Sequence, residues 1–219
     1  MKYVLDVHTH TIASGHAYNT IKEMAQSASE KGLELLGITE HAMKMPGTCH
    51  SFYFANLKML ERKMFGVEML FGVELNILNQ DGEVDMEENL LKKMDIVIAS
   101  MHIPCFKSGT KEENTQTYLK VMENPYVNII GHPDDGRFPV DYEQLVLGAK
   151  KHHVLLEVNN NSLDPRCTRE NGEENVKTML HYCKKFFHVL FFHFFCSLNF
   201  IFSCNVTPSM TGFIIKLSL

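Results

Sequence analysis

Residues 3–10, YVLDVHTH, carry an apolar run directly into two histidines separated by one residue. Tyr3 to Val7 reads as a strand, and side chains two apart on a strand share a face. His8 and His10 are therefore expected to act together. The arrangement recurs along the chain. Leu35 to Thr39 predicts a strand running into Glu40 and His41. Glu68 to Leu75 predicts one passing through Glu74, Asp95 to Ser100 one ending before His102, and Val127 to Ile130 one ending before His132. A sixth strand is expected over Val154 to Val158. Helical patterns lie between the strands. Thr20 to Lys31 opens with a Thr20–Glu23 capping box and stops at Gly32. Phe52 to Phe65 stops at Gly66, Glu112 to Glu123 stops before Asn124-Pro125, and Asp141 to Lys151 and Glu173 to Lys185 follow. Strand–helix alternation with short connections predicts a parallel α/β architecture. At this level a barrel and an open doubly wound sheet both fit.

In parallel α/β folds the C-terminal ends of the strands converge on one face, where active sites lie. An isolated His-x-His is more often two half-exposed strand histidines. Five strand ends repeating the pattern reverse that balance and predict one shared site. Imidazole with carboxylate favours zinc, manganese or iron over calcium. Glu74, in GVELNI, is the natural bridge, because its two oxygens can hold two cations. His16, on the loop after the first strand, can reach the same face. A solvated loop histidine is nearly as good a reading of it.

The chain has 219 residues, 45% hydrophobic and 21% charged, the make-up of one globular domain with a real core. Its net charge of −5 argues against nucleic acid as the main ligand. It does not exclude a small phosphate ester, since metals supply positive charge locally. The six cysteines form no CxxC pair, and the N-terminal stretch has no long apolar core. Reduced thiols and a cytoplasmic location are expected. No GxGxxG, GxxxxGK[ST] or GxSxG occurs.

DVHTHT at 6–11, GITEH at 37–41, GVELNI at 72–77, ASMH at 99–102 and IIGHPDD at 129–135 resemble, in this order, the motifs of the PHP (polymerase and histidinol phosphatase) family, and within it the YcdX-like phosphatase subgroup. LEVNNNSL at 156–163, with Arg166 and Arg169 after it, is similar to that subgroup's late strand and loop. The resemblance covers roughly residues 1–185. It implies a distorted (β/α)7 barrel with a centre of up to three metal ions, held by His8, His10, His16, His41, Glu74, His102 and His132. Zinc is the expected metal, with manganese or iron as alternatives. Glu74, His8 and His10 are expected to carry the chemistry, hydrolysis of a small phosphate monoester. Arg137, Arg166 or Arg169 are candidates to clamp the ester, and surface ion pairs account for each of them equally well. Asp134 or Asp135 is a candidate to orient a site histidine, with turn formation as the competing role. An amidohydrolase that breaks C–N bonds is the alternative enzyme, and a degenerate, non-catalytic relative is the alternative of another class.

The family's closing motif, a Ser-Asp-Ala-His after a final strand, is expected soon after HYCKKFF and is absent. No aspartate follows Asp164, although His193 falls near the expected place. From Phe186 onward Lys216 is the only charged residue, and nine of the fifteen phenylalanines lie there. We therefore expect a hydrolase domain over 1–185, a barrel incomplete at its C-terminal end, and an aberrant apolar tail over 186–219. A weak strand over Val189 to Phe192 is the possible partial rescue. Membrane attachment is expected only if that tail is genuine, and no oligomeric state is legible.

Overall fold

The strands form at nearly the positions their apolar runs predict. The computed structural model describes residues 4–164 and 166–186, with the backbone of Leu190–His193. Among these residues seven strands run parallel: β1 (Leu5–Thr9), β2 (Leu35–His41), β4 (Val67–Asn76), β5 (Val97–Ser100), β6 (Ile129–Ile130), β7 (Leu155–Asn159) and β8 (Leu190–His193), neighbours in that order. A two-residue strand, β3 (Lys63–Met64), pairs antiparallel with β4. The sheet curls into an incomplete barrel. The backbone of β8 pairs with β7, setting His193 opposite Asn159, and comes up beside β1. No ladder joins β8 to β1 among the described residues. Residues 194–219, on which most of the expected tail falls, lie outside the described residues.

Helices α1 (Ile21–Glu30), α2 (Ser51–Asn56), α3 (Glu88–Leu91), α4 (Lys111–Met122), α5 (Tyr142–His152) and α6 (Gly172–Phe186) fill the connections. The Thr20–Glu23 capping box is formed, and Thr110 and Glu113 make a second one on α4. The helix expected over Phe52 to Phe65 is corrected. It ends at Asn56, and the chain turns back through β3 into β4. Phe65 and Gly66 both have positive φ, 51° and 85°, between Met64 and its partner Val67. Gly66 is thus the glycine of a two-residue hairpin turn, not a helix stop.

Period-two alternation divides the sheet into two faces. One face, with Leu36, Ile38, Phe71, Val73 and Val97, packs with the helices into the main core. The other, inside the barrel, has an apolar floor of Val7, Ile96, Ile98 and Ile129. Above that floor the inner residues turn polar. Glu74 pairs with His41 on one side and Ile98 on the other, so in chain direction the strands pass from apolar plug to ionisable site. The β1–β2 register slips by one residue between Asp6 and Thr9. That bulge lets consecutive residues Val7 and His8 both serve the interior, Val7 in the floor and His8 against Glu74.

Candidate metal centre

Glu74 is fully buried at the middle of the barrel mouth, surrounded by imidazole nitrogens. Its Oε1 lies 3.2 Å from His8 Nε2, 3.1 Å from His102 Nε2 and 3.0 Å from His132 Nε2. Its Oε2 lies 3.3 Å from His10 Nε2 and 2.8 Å from His41 Nδ1. Two groups of three donors result, His8–Glu74–His132 and His10–His41–Glu74, and each could hold a metal ion. They share only Glu74, one group on each carboxylate oxygen. His16 belongs to neither group, but its ring stands 4.8 Å from that of His41.

The hydrogen bonds behind the rings fix which nitrogen is the donor. His8 Nδ1–H donates to Glu157 Oε1 at 2.7 Å, His102 Nδ1–H to Asn76 Oδ1 at 2.8 Å, and His16 Nδ1–H to the Ser14 carbonyl at 3.0 Å. The Asn76 amide is oriented by its Nδ2, which donates to Ala42 O and Asp85 Oδ2. Ser14 donates its hydroxyl proton to Glu40 Oε2 at 2.5 Å and accepts from His41 N, so His10 Nδ1–H is the donor at 3.2 Å between them. In their neutral forms His102 and His10 therefore present Nε2 lone pairs to a carboxylate that itself only accepts, and His8 does so once a metal replaces the proton on its Nε2. Lone pairs at about 3 Å from one another need a cation between them. Among the described residues Glu74 Oε2 and His41 Nδ1 accordingly have no hydrogen-bond partner. The residues fit a bound metal.

Burial holds His10, His41 and His132 down to about 4, His132 with help from the Arg169 charge. Burial also opposes a charge on His8, but Glu157 and Glu74 outweigh it and raise His8 well above its ordinary value. Burial would raise Glu74, yet His8, His41 and His102 hold it well below the carboxylate range. The depressed histidines set an acid limit on the metal-free protein. Unfolded, they take protons near pH 6.5; folded, only near 4, so stability falls as pH drops between those values. The cost at pH 5 is on the order of 1–2 kcal/mol for each. His8 acts in the opposite sense, its contribution being lost as pH rises through its raised folded value. Urea unfolding in chelator should give lower stability at pH 5 than at pH 7; equal midpoints would contradict this assignment.

Glu157 and Glu40 were not singled out from the sequence. Glu157, buried on β7, holds His8 through one oxygen and accepts from His132 N at 2.6 Å through the other. That second bond steadies a strained backbone, since His132 has φ of 32°. Glu40 gathers Thr11 N, Thr11 Oγ1, Ser14 Oγ and Tyr53 Oη, tying the loop after β1 to β2. Glu157→Gln is expected to weaken zinc affinity about 10–100-fold, the usual effect of losing a ligand's supporting carboxylate. Competition against a zinc chelator measures it, and unchanged affinity would remove Glu157 from that role.

A cavity of about 550 Å³ opens over the cluster, lined by the seven expected residues and by Arg137, Asp135, Asn159, Asn161 and Arg169. Arg169 reaches it while donating to Ser162 Oγ at 2.8 Å. Arg166 is not part of the lining and pairs with Asp164 at 2.6 Å. Asp135 uses both oxygens to grip Arg137, and burial pushes Asp134 up to about 6.

The PHP domain family matches residues 6–165. A probable phosphatase of Clostridium novyi is 51% identical over 185 residues, spanning 84% of this chain and 75% of that protein. A probable phosphatase of Acetivibrio thermocellus is 44% identical over 185 residues, with 84% and 76% covered. Among solved structures, histidinol phosphate phosphatase from Lactococcus lactis, complexed with zinc, L-histidinol and phosphate, is similar with a TM-score of 0.58. It is 18% identical, with 86% of this chain and 84% of that chain covered, a likeness of fold. With the motifs in order, the curled parallel sheet of an incomplete barrel formed and the match spanning most of its length, the chain belongs to the PHP domain family.

Proposed function

We propose that the protein is a metal-dependent phosphatase that hydrolyses small phosphate monoesters at the Glu74 cluster. The observation that carries this reading is the division of five histidines between the two oxygens of one buried carboxylate. The curated relatives named as probable phosphatases support the reaction class. Bound metal ions would supply a water of lowered pKa and positive charge against the phosphoryl oxygens. His8, His132 and Glu74 would hold one ion, and His10, His41 and Glu74 a second. His102 approaches Glu74 Oε1 with the first group, and His16 with His41 is the place for a third. Zinc is the proposed metal, in line with the zinc in the histidinol phosphate phosphatase structure, with manganese or iron as alternatives. The proposed loading is short of three ions per chain, because the sequence lacks the closing Asp-x-His pair. Residues 1–185 are the proposed hydrolase domain, to whose sheet β8 adds one strand from the segment that follows.

The chain's own groups do the rest. Glu157, Asn76 and Ser14 keep the Nε2 atoms of His8, His102 and His10 turned inward. Arg169, at the cavity wall, is the proposed phosphate clamp, with the amides of Asn159 and Asn161 beside it. The net charge of −5 favours a small ester over nucleic acid. Among the described residues no helix is long and apolar enough to cross a membrane.

Turnover of phosphomonoesters by zinc-loaded protein tests the reading; hydrolysis of amides alone, or no hydrolysis with the metals bound, would overturn it. Arg169→Ala should weaken inhibition by orthophosphate about 10–100-fold, the effect of one charge-assisted bidentate contact. An unchanged inhibition constant would exclude Arg169 as the clamp.

A further inference from the structure

The cavity over Glu74 is not uniformly polar. The end of β7 and the loops after β6 and β7 give it Asn159, Asp135, Arg137, Asn161 and Arg169, whereas the loops after β2 and β5 give it Met45, Pro46, Ile103 and Pro104. Ile103 is 56% exposed, enough free apolar surface to receive a ligand at the mouth. Pro46 and Pro104 are exposed and Met45 is half-buried.

This apolar lip is braced. Thr48 Oγ1 donates to the His41 carbonyl at 2.6 Å, and Lys44 N donates to Asp85 Oδ2 at 2.8 Å. Cys105 Sγ reaches the Lys44 carbonyl at 3.4 Å, joining the two loops. Asp85 also holds Asn76, the partner of His102, so lip and site share one support. Two prolines stiffen it further, which lowers the ordering cost of binding.

The geometry points to a specificity surface: Met45, Pro46, Ile103 and Pro104 receive the alcohol portion of the substrate, selecting phosphomonoesters whose alcohol carries a flat apolar face over polyhydroxylated sugar phosphates. The inference rests on the phosphatase reading and adds the class of ester. A phosphate set against the Glu74 cluster and Arg169 leaves its ester substituent to the remaining wall. Laying a ring on that wall removes apolar surface from water, whereas a sugar there would lose hydration from hydroxyls that the lip cannot replace.

Calorimetry on the zinc-loaded full chain tests this with orthophosphate, methylphosphonate and benzylphosphonate, none of which turns over. Benzylphosphonate should bind about 10-fold more tightly than methylphosphonate, the return on burying one ring face. In a Met45→Ser/Ile103→Ser protein the ratio should shrink to about 2-fold, and in Ile103→Ser alone, a change on an exposed side chain, to about 3-fold. Equal binding of the two phosphonates by the unsubstituted protein, or a preference that survives both substitutions, would overturn the lip. Orthophosphate binding without benzyl preference sinks only this inference. Failure of all three to bind the metal-loaded chain sinks the phosphatase reading and the lip with it.

Discussion

Replacing Glu74 by Gln is expected to lower kcat/KM on a phosphomonoester by at least about 10³-fold, equivalent to roughly 4 kcal/mol of transition-state stabilisation. The residue is buried, and each of its oxygens faces a separate set of histidines. The amide nearly preserves its shape but turns one oxygen into a donor and removes the charge that would balance bound cations. Ser100 Oγ, which donates to Glu74 Oε1 at 2.7 Å, keeps one partner, so folding should survive better than chemistry. The checks are steady-state kinetics and metal content on the same preparation. Loss of rate with loss of metal is the expected pair. A full rate in Glu74→Gln would show that the carboxylate neither bridges nor takes part.

Zinc should raise the melting temperature of chelator-stripped protein by about 10 °C. Free metal at 1,000 times its dissociation constant stabilises a one-site fold by about 4 kcal/mol, and each kcal/mol moves a domain of this size by about 2–4 °C. The effect is large here because the metal-free fold holds the lone pairs of His10, His41 and His132, all kept uncharged by burial, against Glu74, and relief of that repulsion adds to binding. His41→Ala should remove part of the shift, since His41 supplies Nδ1 to only one of the two groups. Thermal melts across a zinc titration measure both. A melting temperature indifferent to zinc would contradict the site's assignment.

Much of the site was legible because parallel strands align their C-terminal ends, so that Glu74, His41 and the histidines after β5 and β6 had to meet if the apolar runs were strands. His8 and His10 were legible by spacing, but the bulge that turns Val7 and His8 inward together was not. A one-residue slip in register leaves no mark on hydrophobic alternation. Glu157 carries a signal of its own: a lone carboxylate inside VLLEV, on a strand otherwise apolar, must be paired when buried. Glu40 was hidden beside His41, whose metal-type chemistry accounted for the motif by itself. Phe52 to Phe65 misled because an apolar pattern closed by glycine fits both a helix with its stop and a short helix followed by a hairpin. The choice was made by β4, which offers an edge to Lys63–Met64. A strand near residue 190 was readable from β-propensity alone, and it forms one residue later than expected, over Leu190–His193.

Anomalous diffraction at the zinc edge, from crystals of the zinc-loaded chain, tests the central claim most directly. The account predicts two peaks flanking the Glu74 carboxylate, about 3.5–4 Å apart, one beside His8 and His132 and the other beside His10 and His41. No peak at Glu74, or zinc bound only at surface histidines away from the barrel mouth, would contradict it.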